Sequence, residues 1–271
     1  MHSNSAKSNF WHKFYCSSFF DISLFITLVL ILVGFFFQGS QNLGYEWQWE
    51  QIPSFIFSYE DGNLVLGPLM QGLGVTLKIS AISLVFAFIL GLGTALLRLS
   101  NSFVGQALSL FYLETIRNTP LIIQIFFIYF VVGPVVGLGR FPSAILALSL
   151  FEGAYASEIF RAGIVSITRG QWEGAHSLGL TTFDTYRYVI LPQAIRRILP
   201  PLTSQIISLI KDSALVSTIA IYDLTMQAQS LISETFLTFE LWFTVAVIYL
   251  MVTVTLSLLV GYLEVRFQIN D

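Results

Sequence analysis

The chain has 271 residues, of which 55% are hydrophobic and only 11% are charged, against about 25% charged in an ordinary soluble domain. This composition excludes a water-soluble globular protein and indicates an integral membrane protein. The net charge is -3, and the scattered basic residues form no patch of the kind that binds nucleic acid.

Stretches of about 20 apolar residues, the length that crosses a hydrocarbon core of about 30 Å, occur six times. Basic residues beside short loops favour the cytoplasm, so a cytoplasmic N-terminus places the basic residues that flank the spans inside, except Arg140. The sequence therefore predicts an all-α protein with both termini in the cytoplasm. The six predicted spans cover residues 19–37, 69–97, 107–132, 141–164, 199–221 and 241–263.

The first span also resembles a cleavable signal peptide, since Lys7 and Lys13 precede it, but no small-x-small cleavage site follows. We therefore expect an uncleaved anchor helix. Residues 38–67 come next, outside the membrane, and mix aromatic with acidic residues, as is typical of a membrane interface. A short interfacial helix or loop is expected there. Residues 1–66 thus precede a predicted membrane domain of residues 67–271.

Charged residues inside or near predicted spans are expected to face protein or water, because a lone charge there costs at least about 2.5 kcal/mol. Glu114 and Arg117 are three positions apart, as are Glu158 and Arg161. Residues at this spacing lie on one helical face. Each pair is therefore expected to neutralise itself and to fix helix packing.

Glu152 lies near the centre of its predicted span and has no basic residue three or four positions away. Lys211 and Asp212 lie at a similar depth, roughly 18 Å along their helix at about 1.5 Å per residue. The three side chains are candidates for a substrate path that meets both ends of a zwitterion. A salt bridge between Glu152 and Lys211, with no ligand, explains the same residues equally well.

Catalytic and metal sites are not indicated. The sequence has no paired Cys or His spacing for a metal, no Gly-x-Ser-x-Gly motif for a nucleophile and no Gly-x-x-x-x-Gly-Lys-Ser/Thr loop for phosphate. No catalytic residue, metal or cofactor is therefore expected, and any energy from ATP must come from a partner.

A hydrogen-bonding segment, residues 165–197, separates the fourth and fifth predicted spans. Its first helix is expected over residues 165–178, closed by Gly179 in the left-handed conformation. Thr181 offers an N-cap oxygen with Asp184 three positions on, and Pro192 is expected to stop the second helix after about ten residues.

This helix pair is expected to lie at the membrane surface with one apolar and one polar face. The side chains expected to meet the bundle or a partner are Trp172, Ala175, Phe183, Tyr186 and Ile190. Glu173, Asp184 and Arg187 are expected to stay in water. On physical grounds alone, a plain amphipathic surface helix gives the same pattern.

The segment resembles the EAA loop of the membrane subunits of ATP-binding-cassette importers. Their pattern is Glu-Ala-Ala, three residues, Gly, nine residues and Ile-x-Leu-Pro. This chain has Glu173-Gly174-Ala175, Gly179 and Val189-Ile190-Leu191-Pro192 at the same spacing, with Gly174 and Val189 as departures. Residues 114–121, 153–161, 192–194 and 211–213 are similar to the polar amino-acid branch of these importers, the histidine, glutamine, glutamate and arginine permeases.

The resemblance implies a multi-pass permease subunit in a bacterial inner membrane, with a five-helix core after one added N-terminal helix and with lipid around it. It also implies a second, identical or similar permease subunit, two cytoplasmic ATPases that dock on the EAA loops, and an outer binding protein that delivers the amino acid. The ATPase-coupling residues would then be Glu173, Gly174, Ala175, Gly179, Leu191 and Pro192.

Two alternatives come from other classes of protein. Six spans and charges at mid-depth also fit a gradient-driven carrier or homo-oligomeric channel. A non-transporting scaffold is the other alternative, but it would not need Glu152 and Lys211 at depth. The sequence shows no inverted repeat between its halves, and a carrier has no need of a docking segment on its inner face. Copurification with an ATPase separates the three classes.

Overall fold

The computed structural model describes residues 18–42, 44–60 and 62–267. It divides into two compact units, Met1–Gln48 and Trp49–Asp271. The first unit contains helix α1 (Ser18–Asn42). Its apolar side chains between Ile22 and Phe35 are exposed. Apolar surface on this scale is unfavourable in water, so α1 stays predicted as an anchor helix.

The second unit opens with a small outer layer. A 3-10 helix (Trp49–Gln51) leads into α2 (Ile52–Ile56), and an antiparallel hairpin of β1 (Phe57–Glu60) and β2 (Asn63–Leu66) follows. The expected short helix is present, but the expectation of only a helix or loop is wrong for residues 57–66. Gly62 in the turn has a positive φ of +79°, and Asp-Gly between apolar runs is a known hairpin signal.

The described residues that follow, 68–267, are helical apart from short connections. Two π-helical turns cover Phe127–Val132 and Thr185–Ile190, and a 3-10 helix covers Ser213–Ile219. The α-helices are α3 (Pro68–Leu99), α4 (Phe103–Arg117), α5 (Leu121–Phe126), α6 (Gly133–Val136), α7 (Arg140–Val165), α8 (Arg169–Ser177), α9 (Thr182–Asp184), α10 (Leu191–Asp212), α11 (Leu224–Thr235) and α12 (Thr238–Phe267).

By length and composition, three helical segments among the described residues can each cross a membrane: Pro68–Leu99, Arg140–Val165 and Thr238–Tyr262. Two bent pairs raise the number to five if each pair is one span. The bend is 107° between Phe103–Arg117 and Leu121–Val136 and 47° between Thr182–Ile219 and Leu224–Thr235. The total of six spans, with α1 as the sixth, stays a prediction.

The predicted span over residues 107–132 is wrong as a straight helix, because the chain turns sharply after α4. Asn118 Nδ2 donates to the carbonyl of Glu114 at 2.8 Å, and Thr119 Oγ1 donates to the carbonyl of Thr115 at 2.9 Å. These bonds satisfy the last carbonyls of α4. Pro120 then disfavours helical backbone at the residue before it, so the helix ends and α5 starts in a new direction.

Helices α3 and α7 form the most extensive helix contact among the described residues of the second unit, and small residues let them approach closely. A Cβ atom added at Gly91 would lie 2.9 Å from Ala156 Cβ and 2.9 Å from the carbonyl oxygen of Gly153. Glycine and alanine at a helix interface let the two backbones approach, and dispersion contacts then hold them together.

Gly91→Ala is expected to destabilise the protein by about 1–3 kcal/mol, because the added methyl group overlaps α7. The matched control is Gly93→Ala, where an added Cβ meets nothing within 4 Å. Alanine favours helix over glycine by up to about 1 kcal/mol, so the control is expected to be neutral or stabilising. Thermal unfolding of both variants in detergent checks the prediction, and equal melting temperatures would contradict it.

Pro192 does not stop the second helix of the 165–197 segment, contrary to the prediction, and the helix continues through α10. The N–H of Leu191 donates to the carbonyl of Tyr186, five residues back, in the π-helical turn. This wider turn places Pro192 in the first turn of α10, where its missing N–H and its ring do not break the helix. Gly133 and Pro134 follow the other π-helical turn in the same way.

Candidate functional site

Helices α8 and α9 form a helix-turn-helix, called the coupling hairpin below (residues 169–190). The expected first helix over residues 165–178 is in fact the end of α7 and a separate α8 that starts at Arg169. Gly179 closes α8 with a φ of +76°, as predicted. Its N–H donates to the carbonyl of His176 at 2.9 Å, and the Leu180 N–H donates to the carbonyl of Ala175 at 3.2 Å. This pattern is a helix-closing motif that fixes the direction of the turn.

The second helix of the coupling hairpin starts at the predicted cap. The backbone N–H of Asp184 donates to Thr181 Oγ1 at 3.2 Å, and the Thr181 hydroxyl donates to Asp184 Oδ2 at 2.6 Å. Two reciprocal bonds therefore hold the first turn. The turn between the helices is fixed from both sides.

One face of the coupling hairpin packs on the membrane unit. Ala175 and Ile190 are buried against the cluster that includes Phe160 and Ala194. The rings of Trp172 and Tyr186 meet edge to face, with centroids 5.0 Å apart, and both pack on the same cluster. The hairpin is therefore held to the helices of the second unit by apolar contacts.

The opposite face is exposed and not purely polar. Glu173 is exposed, and so are the apolar side chains of Leu178 (83%) and Phe183 (70%). Phe183 therefore does not pack on the helix bundle, which was one part of the expectation. The other part, contact with a partner protein, stays a prediction. Exposed large apolar side chains beside a carboxylate are typical of a protein interface.

The closing turn gives a matched pair of variants. Gly179→Ala is expected to cost about 1–2 kcal/mol, since an L side chain strains the left-handed backbone although nothing lies within 4 Å. Gly174→Ala, in the helical part of α8 and equally free of neighbours, is expected to be neutral or stabilising. Hydrogen exchange of the α8 amides measures the difference, and equal protection in both variants would argue against it.

Glu158 is the shared partner of three arginines. Arg161 Nη2 lies 3.2 Å from Glu158 Oε2, which confirms the expected pair on α7. Arg98 donates to Glu158 Oε1 from α3, and Arg117 Nη1 lies 3.7 Å from the same oxygen. The expected pair of Arg117 with Glu114 is wrong. Glu114 Oε2 instead accepts a hydrogen bond from Asn118 Nδ2 at 2.8 Å, because the end of α4 brings that amide within reach.

Glu152 lies in α7 with only 2% of its surface exposed. Gln205 Nε2 of α10 donates to Glu152 Oε2, and Glu152 Oε1 has no hydrogen-bond partner among the described residues. The Asp212 carboxyl, two helical turns beyond Gln205, is close enough to interact with it. A small cleft lined by Glu152, Gln205, Leu84 and Phe88 adjoins the group.

Lys211 is not part of this group. Its side chain is exposed, and within the described part of the chain it makes no ion pair with Glu152. The alternative of a Glu152–Lys211 salt bridge is therefore not formed there, because Lys211 and Asp212 are adjacent on a helix and point about 100° apart. Gln205 was missed as a site residue. Its position seven residues before Asp212, on the same helical face, was the available signal.

Comparison with known proteins decides the family. The family of binding-protein-dependent transport system inner membrane components matches residues 83–269. The chain belongs to this family. The coupling hairpin and Glu152 both lie within the matched residues, whereas α1 and the β1–β2 hairpin precede them.

Individual relatives agree with this family. The glutamine transport system permease protein GlnP of Escherichia coli (strain K12) is 38% identical over 204 residues, which cover 74% of this chain and 93% of the relative. The L-cystine transport system permease protein TcyB of Bacillus subtilis (strain 168) is 43% identical over 164 residues, 60% of this chain and 70% of the relative. A solved amino acid ABC transporter superimposes with a TM-score of 0.70 at 38% identity, covering 73% of this chain and 94% of that chain.

Proposed function

We propose that this inner membrane component is the membrane-spanning permease subunit of an ATP-driven importer of polar amino acids. The observation that carries the proposal is the coupling hairpin, which is rigidly capped, packed on the membrane helices and exposed on its other face. Family membership favours this function over a gradient-driven carrier, a channel or a scaffold. The similar relatives are named for glutamine and cystine transport, which supports a polar amino acid as substrate.

The exposed face of the coupling hairpin is the proposed docking site of an ATPase. The chain has no phosphate-binding loop of its own, so ATP hydrolysis belongs to that partner. Leu178 and Phe183 would enter an apolar groove, and Glu173 would bind a basic group beside it. In the proposed importer the hairpin and both termini would lie in the cytoplasm, with Arg140 at the outer end of α7.

The remaining partners of the proposed importer are a second permease subunit and an outer binding protein. The second subunit, identical or similar, would complete the substrate path, and the binding protein would deliver the amino acid to the outer ends of the helices. Residues 67–271 form the proposed permease domain. The anchor helix and outer segment of residues 1–66 are an addition to it.

Glu152 and Asp212 are the proposed substrate-path residues. A buried carboxylate oxygen without a partner is costly, and a ligand N–H group would remove that cost. The positively charged end of an amino acid supplies such a group. Lys211, on the exposed face of α10, stays a candidate only for the carboxylate end of the substrate.

Copurification and uptake together test the proposal. The tagged full-length chain, isolated from its native membrane in mild detergent, is expected to retain an ATPase subunit. The complex is reconstituted in liposomes, with the binding protein outside. Liposomes are expected to accumulate a labelled amino acid only when ATP is enclosed inside them, on the side of the ATPase. Uptake driven by an ion gradient without ATP, or no retained ATPase, would overturn the proposal.

A further inference from the structure

The cluster around Glu158 (Glu158 with Arg98, Arg117 and Arg161) joins three helices through one carboxylate. Arg98 comes from the last turn of α3, Arg117 is the last residue of α4, and Arg161 lies one turn from Glu158 on α7. Arg117 also lies over the ring of Tyr155, 5.8 Å from its centroid. The coupling hairpin needs none of these contacts, and the substrate-path residues make none of them.

This Glu158 cluster holds more positive charge than it neutralises. Three guanidinium groups face one carboxylate, and one further acid, Glu114, also acts electrostatically on Arg98. Three positive and two negative charges leave an excess of one. Each guanidinium carries five N–H donors, whereas Glu158 has two acceptor oxygens. Most of the donors are therefore left for an acceptor from outside the chain.

The unused donors are accessible. The side chains of Arg98, Arg117 and Arg161 are 28%, 43% and 31% exposed, and that of Glu158 is 24% exposed. The cluster is therefore only partly buried and can be reached from outside the chain.

Apolar side chains flank Arg98 in sequence, at the end of α3 and at the start of α4. Leu96 and Leu97, just before Arg98, are 54% and 46% exposed, and Phe103 and Val104, at the start of α4, are 84% and 63% exposed. A ligand with an anionic head and apolar chains complements such a surface. Basic groups between transmembrane helices at the membrane surface recognise lipid head groups in this way.

We propose that the Glu158 cluster binds the phosphate of an anionic phospholipid, with the acyl chains over the apolar side chains beside it. Guanidinium groups suit a phosphate because their paired N–H donors match its oxygens. Glu158 holds the three arginines in place and competes with the phosphate for their donors. Bound lipid would then hold α3, α4 and α7 together at one end of the bundle.

Lipid retention tests the proposal on the purified full-length chain. The protein is exchanged into mixed micelles of phosphatidylglycerol and phosphatidylcholine, and native mass spectrometry counts the lipids that remain bound. Arg117→Gln is expected to weaken phosphatidylglycerol retention about fivefold, the effect of one basic group at a lipid surface. Arg117 suits the test because its 3.7 Å contact is the longest of the three. The matched control is Arg140→Gln, at the other end of α7, which is expected to leave retention unchanged.

A second variant separates lipid binding from a structural role. Glu158→Gln removes the competing charge, so retention of phosphatidylglycerol is expected to rise or stay equal, whereas a purely structural cluster would lose lipid in both variants. Inorganic phosphate added during exchange distinguishes a lipid site from a phosphate site. Displacement of the lipid by millimolar phosphate, or equal retention by wild type and Arg117→Gln, would overturn the proposal.

Discussion

Glu173→Ala is expected to abolish most ATP-coupled transport without changing the stability of the chain. Glu173 is exposed, and within residues 18–42, 44–60 and 62–267 its carboxylate forms no ion pair. Its loss therefore costs the isolated subunit little. Removing one partner of a hydrogen-bonded charge pair buried at an interface costs at least about 2 kcal/mol, or about 30-fold in affinity for the ATPase.

The measurement is retention of the ATPase by the tagged subunit, together with ATP hydrolysis stimulated by binding protein and substrate. Glu234→Ala is the matched control, because Glu234 is also exposed near the end of a helix but lies in α11, far in sequence from the coupling hairpin. Glu173→Gln separates the charge from the hydrogen bond. Full coupling in Glu173→Ala would show that the ATPase does not bind this carboxylate.

Glu152→Gln is expected to raise the substrate concentration for half-maximal uptake about tenfold or more, with the ATPase still coupled. A hydrogen bond to a charged group contributes about 1.5–3 kcal/mol, and the amide side chain of the variant lacks the negative charge. The fold is expected to survive, because the two amides of residues 152 and 205 can hydrogen bond after Gln205 reorients. Uptake assays with several amino acids then show which end of the substrate is affected.

The loss of affinity for different substrates shows which part of the amino acid Glu152 contacts. A larger loss for arginine or lysine than for glutamine would place Glu152 at the side chain, and an equal loss would place it at the α-amino group. Asp212→Asn is expected to have a smaller effect in the same direction. Glu114→Gln is the control, since its carboxylate is exposed and held by Asn118. Unchanged affinity and rate in Glu152→Gln would remove it from the substrate path.

Local signals allowed the coupling hairpin to be predicted. The turn and the helix cap depend on contacts between residues close together in the sequence, namely Gly179, Thr181 and Asp184. Their spacing alone therefore indicates both features. The prediction that Pro192 stops the helix was wrong, because the effect of a proline on a helix depends on the backbone around it. A π-helical turn just before it accommodates the ring, and the bare sequence does not reveal that turn.

Contacts between distant segments could not be predicted. Arg98 and Glu158 are 60 residues apart, and only the packing of α3 on α7 brings them together. Helical spacing therefore paired Arg117 with its neighbour Glu114, while the structure directs it to Glu158. Contacts between distant segments were equally unpredictable near the middle of the predicted spans. Opposite charge suggested Lys211 as an alternative partner of Glu152, and the neutral amide of Gln205 was overlooked.

The unbroken passage from the coupling hairpin into α10 has a mechanical consequence. The 30 residue steps from Thr182 to Asp212 span about 45 Å at about 1.5 Å each, so Phe183 of the proposed docking surface and the half-buried carboxylate of Asp212 belong to one continuous helical segment. Pro200 and Pro201 remove two successive N–H donors part-way along it, which makes that point the easiest place to bend. Movement of the docked ATPase is then expected to rotate the segment that carries Asp212 about the proline pair, while Glu152 stays with α7. Each transport cycle would therefore change the distance between the Glu152 and Asp212 carboxylates.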